Sequence, residues 1–316
     1  MPPPVAEVSA PAFTFVSTFA GCGGSSLGYT LAGGKCLLAV EWDDHAVAVY
    51  RANFPGTPIY HGDICALTGA AVLTQIGLKP GELDVFDGSP PCQGFSTIGS
   101  RDLDDKRNQL FLEYVRLLRA LQPRVFVMEN VSGMVKGAMR LIFAECMREL
   151  KSSGYRVSCR LLNAQWFGVP QSRERVIFIG TREDLGIQPS HPRAQKRLIP
   201  LRAVIGDAEA FREGFGPTKF DGVMNKKFSN SHWRSISQPS CTITRTRPPI
   251  VRLADGRQRE MTPAECARVG SFPDTFRWLG SKAQIINRIG NSVPPMLAKA
   301  IGEHMRDVLL KRRAAA

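Results

Sequence analysis

The stretch FTFVSTFAGCGGSS, residues 13–26, decides the fold class of this chain. Its first seven residues are rich in aromatic and β-branched side chains, which predicts a strand. The glycines that follow predict a tight turn into a helix that extends through about residue 32. Glycine lets a ligand approach the backbone closely, and in open α/β sheets ligands bind where the strands end. The stretch therefore predicts the first strand–turn–helix unit of a ligand-binding sheet.

Alternating strand and helix patterns continue after this unit. Strands are predicted at 36–40, 83–87 and 124–128, and helices at 43–53, 109–121 and 137–153. Two further runs, 155–162 and 176–181, predict a pair of neighbouring strands. Repeated strand–helix units predict an α/β fold with a mainly parallel sheet and helices on both of its faces.

The alternation stops after residue 181. Residues 182–258 are rich in Arg, Pro, Gly and Ser and contain only short β-like runs such as 241–244, which predicts a small, irregular second domain. A helical pattern returns at Thr262, whose hydroxyl group is suited to cap a helix that begins with Pro263. Two more helices are predicted at 282–288 and 295–310.

Composition limits the class of protein. The 316 residues are 43% apolar, which suits a globular chain with one large domain or a large and a small one. No apolar run approaches the ~20 residues of a membrane span, and residues 1–11 lack signal-peptide features and are predicted to be a disordered leader. The eight cysteines contain no C-x-x-C pair and the five histidines show no metal-binding spacing. We therefore predict a reducing compartment, no disulfide framework and no metal site.

The net charge of +13 is unevenly distributed. Residues 1–180 contain 17 Lys and Arg against 16 Asp and Glu. Residues 181–260 contain 15 against 8, and residues 261–316 contain 9 against 4. A solubilising surface is one interpretation of this excess. A polyanionic partner that docks against the C-terminal half explains the asymmetry better.

The candidate reactive residue is Cys92, in the stretch SPPCQGFS at 89–96. The two prolines before it fix the backbone at the end of a predicted strand. Taken alone, this cysteine is as readily explained as a small buried side chain in a turn. However, Glu129 lies at the edge of another apolar strand, and Arg173 and Arg175 lie at the start of a third. A thiol, a carboxylate and two guanidinium groups at strand edges indicate a nucleophile, a proton-handling group and anchors for a polar heterocycle.

A nucleotide-type ligand is indicated by the residues after the glycine-rich turn. Glu41 ends the second predicted strand about 20 residues after the glycines, where an acid accepts hydrogen bonds from ribose hydroxyls. Trp42 could stack on an adenine, and Asp63 suits an exocyclic amine. No P-loop lysine accompanies them, which favours an adenosine cofactor without phosphates.

Together, the PPCQ, ENV and QxRxR blocks, in this order and at these spacings, resemble those of the cytosine-C5 DNA methyltransferases of bacterial or phage type. The resemblance extends from about residue 15 to about residue 305. It implies a Rossmann-like, S-adenosylmethionine-dependent methyltransferase domain made of residues 12–185 and 259–316, in which the C-terminal segment packs back on the first part. Residues 186–258 would then be the target-recognition domain, and the implied substrate is double-stranded DNA.

The resemblance also implies which residues bind S-adenosylmethionine. They are Phe19, Gly21, Gly23, Glu41, Trp42, Asp63, Ile64, Pro91, Leu110, Asn291 and Ser292. The stretch GNSVPP at 290–295 would close the methionine end of the pocket. The family often has an acidic residue where Ser17 stands, so that contact with the methionine amino group is expected to be lost or made by water.

The chemistry that the resemblance implies begins with addition of the Cys92 thiolate to C6 of cytosine, which makes C5 nucleophilic. Glu129 would bond to N3 and the exocyclic amine of the base. Arg175 would anchor O2, and Arg173 would support the surroundings of Cys92.

Because the target atoms lie inside the duplex, the cytosine must be flipped out of the stack. Residues 93–108 are expected to close over the DNA, with Ile98 either as a wedge or as an ordinary loop side chain. Site reading is expected within 190–250, including a strand at 242–244, while Lys226 and Lys227 contact phosphates. The predicted DNA-binding residues are Gln93, Ile98, Arg234, Thr242, Arg245 and Arg247.

Two alternatives stay open. A tRNA cytosine-C5 methyltransferase shares this core, but the Cys-Phe-Thr tripeptide that marks that branch is absent, and residues 241–243 are the nearest approach to it. A catalytically inactive DNA-binding or regulatory protein would not need the four candidate catalytic residues. The sequence further favours a monomer in the bacterial cytoplasm or nucleoid, with a companion restriction endonuclease as a candidate partner.

Overall fold

The computed structural model describes residues 10–91, 106–135, 139–213 and 233–311. A central sheet contains the strands β1 (Phe13–Thr18), β2 (Gly34–Glu41), β3 (Ile59–His61), β4 (Val85–Gly88), β5 (Val125–Val131), β6 (Tyr155–Asn163) and β7 (Glu174–Arg182). The helices between them are α1 (Gly24–Leu31), α2 (Asp44–Asn53), α3 (Gly69–Ile76), α4 (Lys106–Leu121) and α5 (Met139–Ser152).

The seven strands lie in the order β3-β2-β1-β4-β5-β7-β6. Strands β1 to β5 pair in parallel, and β7 is antiparallel to both of its neighbours. A helix that returns the chain across one face of a sheet leaves the next strand parallel to the previous one, which is why the strand–helix pattern predicts this topology. The mainly parallel, Rossmann-like α/β fold is confirmed, as is the pairing of 155–162 with 176–181.

Both faces of the central sheet are covered. On one face Val16 and Phe86 pack with side chains of α3, α4 and α5, and on the other Phe15 packs with Tyr29 of α1. These side chains are at most 1% exposed. Complete burial of each such apolar or aromatic side chain is worth about 1.5–3 kcal/mol, so the alternating pattern of β1 fixes the middle of the sheet.

The C-terminal helix α8 (Pro295–His304) packs against α1. The contact is close because Gly28 faces it: a Cβ atom there would lie 2.4 Å from the Cβ of Ala298. The predicted helix 295–310 is not one α-helix, since Met305–Leu309 forms a π-helical turn. This wider turn keeps Met305, Leu309 and Leu310 together in the core.

A second sheet contains β8 (Ala208–Arg212), β9 (Arg234–Ser235), β10 (Ile250–Leu253) and β11 (Gln258–Glu260), in the antiparallel order β11-β10-β8-β9. Phe211 and Val251 on one face are fully buried against α6 (Pro263–Val269) and α7 (Lys282–Asn291). The same core includes Cys22 of the turn after β1 and Val49 of α2, so the second sheet packs in one apolar cluster with these two elements. The irregular region predicted from composition therefore contains an ordered antiparallel sheet.

One predicted helix start and one predicted strand need correction, and one predicted helix cap is confirmed. Helix α4 begins at Lys106 and not at residue 109, because Lys and Arg are good helix formers, so the predicted loop 93–108 overlaps the helix. The run 241–244 is not a strand, for a reason that the site geometry supplies. Thr262 caps α6 as predicted, in a reciprocal capping box with Glu265.

Across the four described ranges, no helix combines the length and the apolar character that crossing a membrane requires. In the same part of the chain, no three His, Cys, Asp or Glu side chains are grouped so that they could hold a metal ion.

Candidate active site

The centre of the site is an ion pair between β5 and β7. The two strands are antiparallel, with Glu129 opposite Ile177 and Val131 opposite Arg175. Nε of Arg175 lies 2.7 Å from Oε1 of Glu129, and each side chain is 14% exposed. Because the carboxyl ends of β1, β4 and β5 meet at the same edge, this pair lies where ligands bind in open α/β sheets.

Arg175 also lines a cleft with a volume of about 450 Å³. One wall comes from the start of β7 and its neighbourhood, and the other wall comes from the second sheet and the segment 241–247. The lining residues are Ser132, Ser172, Glu174, Arg175, Glu213, Arg234, Cys241, Thr242, Thr244 and Arg247. The structure thus brings Arg234, Thr242 and Arg247 together with Arg175, whereas Arg245 is exposed and does not line the cleft.

The segment 241–244 is held by side chains. Oε1 of Gln171 accepts a hydrogen bond from the Ile243 backbone N–H at 3.1 Å. Nη1 of Arg173 donates to the Ile243 carbonyl at 3.0 Å, and the Thr242 hydroxyl donates to the Ser172 carbonyl at 2.7 Å. With both backbone groups of Ile243 paired in this way, the segment has no ladder to join, which is why the predicted strand at 242–244 is wrong.

Asn130 positions the backbone just before the candidate nucleophile. Its amide donates to the Pro90 carbonyl at 3.1 Å, and its oxygen accepts from the Val131 N–H at 2.9 Å. Pro91 is half-buried at the end of this segment. The predicted residues Cys92, Gln93 and Ile98 lie outside the described residues, as do Lys226 and Lys227.

The glycine-rich turn after β1 leaves space on one side and none on the other. Gly21 has a φ of +55°, and no atom lies within 4 Å of the position that a Cβ atom would take. At Gly23, with a φ of +95°, a Cβ atom would lie 2.3 Å from the ring of Phe54. Phe19, which precedes the turn, has a φ of +54° that a non-glycine residue rarely adopts. Gly21 therefore faces open space in which a ligand can lie against the backbone.

The acidic and aromatic candidates surround this space. Oε2 of Glu41 accepts from the Gly21 N–H at 2.8 Å, and Oε1 accepts from the backbone N–H groups of Trp42 and Asp43 at 2.9 Å. Trp42 is 76% exposed, so its ring is accessible to a planar group. Glu41 thus ties the turn to the end of β2 at the carboxylate that was predicted to meet a ribose.

Asp63 also belongs to this side of the site. Its Oδ1 accepts from the Cys65 N–H at 2.9 Å, and this bond lowers the pKa of the exposed carboxyl group. The neighbouring side chain of Ile64 is 5% exposed and packs in the core, and Leu110 of α4 packs against the same core. The Asp63 carboxylate is therefore fixed by its own turn.

Ser292, the residue after α7, contacts the glycine-rich turn. The Ser292 hydroxyl lies 3.0 Å from Sγ of Cys22 and donates to the Arg288 carbonyl at 2.7 Å. The exposed Asn291 amide bonds to Asn287 at 3.1 Å. A link from the C-terminal motif to the glycine-rich turn is therefore part of the fold.

Comparisons with known proteins agree with this geometry. The profile of the C-5 cytosine-specific DNA methylase family matches residues 13–209 and 215–307. The chain belongs to this family. Type II methyltransferase M1.HphI of Haemophilus parahaemolyticus is 34% identical to it over 92% of this chain and 86% of that protein. Type II methyltransferase M.NgoPII of Neisseria gonorrhoeae is 32% identical over 93% of this chain and 95% of that protein.

The fold has solved counterparts. A crystal structure of Spodoptera frugiperda DNMT2 superposes with a TM-score of 0.71 at 20% identity, over 91% of this chain and 97% of that one. At this identity the likeness concerns the fold alone. The sequence-based prediction of a DNA cytosine-5-methyltransferase with a Rossmann-like domain is confirmed at the level of family and fold.

One feature of this methylase that the sequence analysis missed is a buried carboxylate at the end of β4. Asp87 is 3% exposed and accepts hydrogen bonds from the hydroxyls of Tyr29 at 2.9 Å and Ser17 at 3.0 Å. Burial raises its pKa to about 6, although the hydrogen bonds act in the opposite direction. Ser17, expected to leave a cofactor contact open, thus bonds to Asp87. The available signal was Asp87 at the end of the predicted strand 83–87, directly after the apolar pair Val85 and Phe86.

Proposed function

We propose that this chain transfers a methyl group from S-adenosylmethionine to C5 of a flipped-out cytosine in a specific duplex sequence, through a covalent bond between Cys92 and C6. The observation that carries the proposal is the Glu129–Arg175 pair, which lies beside a cleft lined on its far wall by Arg234, Thr242 and Arg247. A cytosine in this cleft would meet a carboxylate and a guanidinium on one side and donors of the basic region on the other.

The donor pattern of the pair suits the edge of cytosine. The guanidinium of Arg175 can only donate, so it matches the O2 acceptor. A protonated Glu129 can donate to N3 while its second oxygen accepts from the exocyclic amine. In the free protein the Glu129 carboxylate is paired with Arg175. A bound cytosine would replace this pairing, with Glu129 taking up a proton from solvent.

The residues around the glycine-rich turn fit S-adenosylmethionine. Gly21 offers open space, the Trp42 ring offers a stacking plane, and Glu41 and Asp63 offer carboxylate acceptors for hydroxyl and amine donors. Phe19, Gly23, Ile64, Pro91, Leu110, Asn291 and Ser292 complete the proposed set. Bound there, the sulfonium would supply an electrophilic methyl group.

The chain's own residues would carry the remaining chemistry. Cys92 attacks C6 as a thiolate, which a neutral solution populates to a few per cent for an ordinary cysteine. Asn130, through its bond to the Pro90 carbonyl, would hold this thiol beside Glu129. Glu129 gives a proton to N3 as charge develops on the ring, and it takes this proton back once C5 has been methylated. When the methylated C5 loses its proton to water, the electrons of that bond expel the Cys92 sulfur and restore the ring.

DNA recognition is proposed for residues 186–258, which include β8 to β10 and the segment 241–247. The domain division into 12–185 with 259–316 and 186–258 is part of this proposal. Gln93 and Ile98 are proposed to meet the gap that the flipped base leaves. Arg234, Thr242, Arg245 and Arg247 are proposed to contact the DNA, since base edges are read by hydrogen bonds in the grooves.

Incubation of the purified chain with duplex DNA and methyl-labelled S-adenosylmethionine tests the reaction. We expect incorporation into DNA, and bisulfite sequencing of DNA from expressing cells is expected to map one short sequence. Duplexes with 5-fluorocytosine at that site are expected to trap the wild-type chain covalently, and Cys92→Ser is expected to give no adduct. Adduct formation by Cys92→Ser at the wild-type level would refute the assigned nucleophile.

Parallel incubation with tRNA separates the alternatives. Labelling of tRNA in place of DNA would establish the RNA methyltransferase, and binding to DNA without any labelling would establish an inactive binding protein. We infer a monomer in the bacterial cytoplasm or nucleoid. Because the relatives M1.HphI and M.NgoPII carry type II methyltransferase names, a companion restriction endonuclease is part of the proposal.

A further inference from the structure

Arg173 joins three parts of the chain. Its side chain is buried, with the residue 2% exposed, just before β7. Nη1 donates to the Ile243 carbonyl at 3.0 Å, and Nη2 donates to the Gly290 carbonyl at 2.6 Å. One guanidinium thereby connects the start of β7, the cleft-lining segment 241–247 and the last turn of α7.

The contact between the second and third of these parts is direct. A Cβ atom on Gly290 would lie 2.4 Å from the Thr244 carbonyl carbon and the Arg245 nitrogen, so glycine is needed for this approach. Asn291 and Ser292, proposed to meet the cofactor, follow Gly290 immediately. The segment 241–247 and the residues that precede the proposed cofactor contacts therefore touch at Gly290, whose carbonyl Arg173 binds.

The positive charge of the buried Arg173 side chain distinguishes this connection from an ordinary packing contact. Burial and the neighbouring Arg175 lower the pKa of Arg173 to about 9, which still leaves the group cationic at neutral pH. Among the described residues, its two hydrogen-bond acceptors are neutral carbonyls and its Nε has no partner. A buried cation is costly, and a neutral donor would join the same carbonyls at lower cost. The negative end of the α7 dipole offsets part of this cost.

We propose that Arg173 is a positioning residue that couples DNA binding to cofactor binding, by locking the segment 241–247 to the end of α7. The inference rests on the proposed function. DNA that fixes 241–247 would favour the arrangement of Asn291 and Ser292 that holds the cofactor. The cofactor would by the same linkage favour DNA binding, because coupling between two sites is reciprocal.

The test is the dissociation constant of S-adenosylhomocysteine, measured by calorimetry with and without the duplex mapped by bisulfite sequencing. For the wild-type chain we expect tighter binding with the duplex, by a factor in the common range of about 5–150. Arg173→Lys keeps the charge but cannot donate to both carbonyls in the same geometry. In this variant we expect the dissociation constants of S-adenosylhomocysteine with and without the duplex to be nearly equal, and the value without DNA to stay close to that of the wild-type chain.

Arg124→Lys is the matched control. Arg124 also donates to a carbonyl, that of Leu310, and pairs with Asp84 at 3.0 Å, but it precedes β5 at the opposite edge of the sheet. It is expected to keep the wild-type ratio of the two dissociation constants. A wild-type ratio of one, or an unchanged ratio in folded Arg173→Lys, would overturn the proposal. A wild-type chain that neither binds S-adenosylhomocysteine nor methylates DNA would instead refute the proposed function.

A measurement on the wild-type chain covers the case in which the variant does not fold. The Ile243 N–H is hydrogen-bonded to Gln171, so its exchange with solvent reports whether the segment is locked. S-adenosylhomocysteine alone is expected to slow exchange in a peptide covering 240–247. Unchanged exchange there, together with slowed exchange around 290–292, would show cofactor binding without coupling and would overturn the proposal.

Discussion

The edge of the seven-stranded sheet and the segment 241–247 line the same cleft but are held in place differently. Glu129 sits in a continuous β5–β7 ladder, so its position follows from backbone pairing. The backbone of Ile243 is held instead by Gln171 and Arg173. A ladder gives a rigid site for chemistry, whereas a segment held by a few side chains can change its sequence without disturbing that site.

The parts of the chain that contain these two regions, residues 1–180 and residues 181–260, also differ in charge. Residues 1–180 carry almost equal numbers of basic and acidic side chains, while residues 181–260 carry 15 basic against 8 acidic ones. Attraction to a polyanion is therefore concentrated in the region that has less regular structure. Substitutions in the first region are therefore expected to change rate or stability, and those in the second are expected to change site preference.

The largest effect is expected from Glu129→Gln. Loss of a general acid–base group typically lowers turnover by about 10²–10⁴-fold, and the mapped site should stay the same. Single-turnover methylation of the mapped duplex measures this. Trp42→Ala is the matched control and is expected to weaken S-adenosylmethionine binding, by about 1–3 kcal/mol if the ring stacks on adenine, before it affects chemistry. The reverse pattern would show that the two roles are exchanged.

The next effect concerns stability in the first region. The pKa of Asp87 is raised from an ordinary value of 3.8 to about 6 because the group is buried, so the folded state holds its proton more tightly. The protonated Asp87 therefore stabilises the folded state by about 3 kcal/mol below about pH 4, and this stabilisation is lost as pH rises through 6. Asp87→Asn is expected to lack this decline in the free energy of unfolding, measured in urea between pH 4 and 7.

Asp184→Asn is the control for that measurement. Arg182 lowers the pKa of the exposed Asp184. The contribution of Asp184 to stability therefore changes with pH in the opposite direction and is lost on acidification. An Asp87→Asn curve that follows the wild-type one would mean that another group sets the pH dependence.

A smaller, selective effect is expected from Arg247→Ala. Arg247 lines the cleft, and loss of one arginine contact to a guanine is worth about 1–3 kcal/mol of discrimination. Sequencing of methylated libraries is expected to show relaxed preference at one base position. Arg257→Ala is the control, because Arg257 pairs with Asp255 at 2.6 Å and does not line the cleft. Relaxed preference in the control alone would place recognition elsewhere.

The smallest effect is expected from Thr262→Ala. Loss of this helix cap lowers the free energy of unfolding by about 1 kcal/mol, since the Glu265 N–H loses its acceptor. Site preference and turnover are expected to stay at wild-type values, as they should in Ser281→Ala, which removes the equivalent cap of α7. Altered site preference in either variant would show that α6 and α7 are part of the recognition surface.

The central sheet could be predicted from the chain alone, because burial of an element leaves an apolar pattern within a few residues. The cap at Thr262 and the strand-edge residues Glu129 and Arg175 were also predictable, because each lies at the boundary of such an element. The sequence also predicted the roles of Cys92, Gln93 and Ile98, which stay predictions because these residues lie outside the described ranges.

The position of the segment 241–244 and the contacts of Asp87 and Arg173 became known only from the folded structure. A β-like run becomes a strand only if a partner strand is available, and here Gln171 and Arg173 take its backbone groups. The partners of Arg173 come from residues about 70 and 117 positions away in the chain. No local pattern encodes a hydrogen bond between a side chain and so distant a carbonyl, because its formation depends on how whole elements pack.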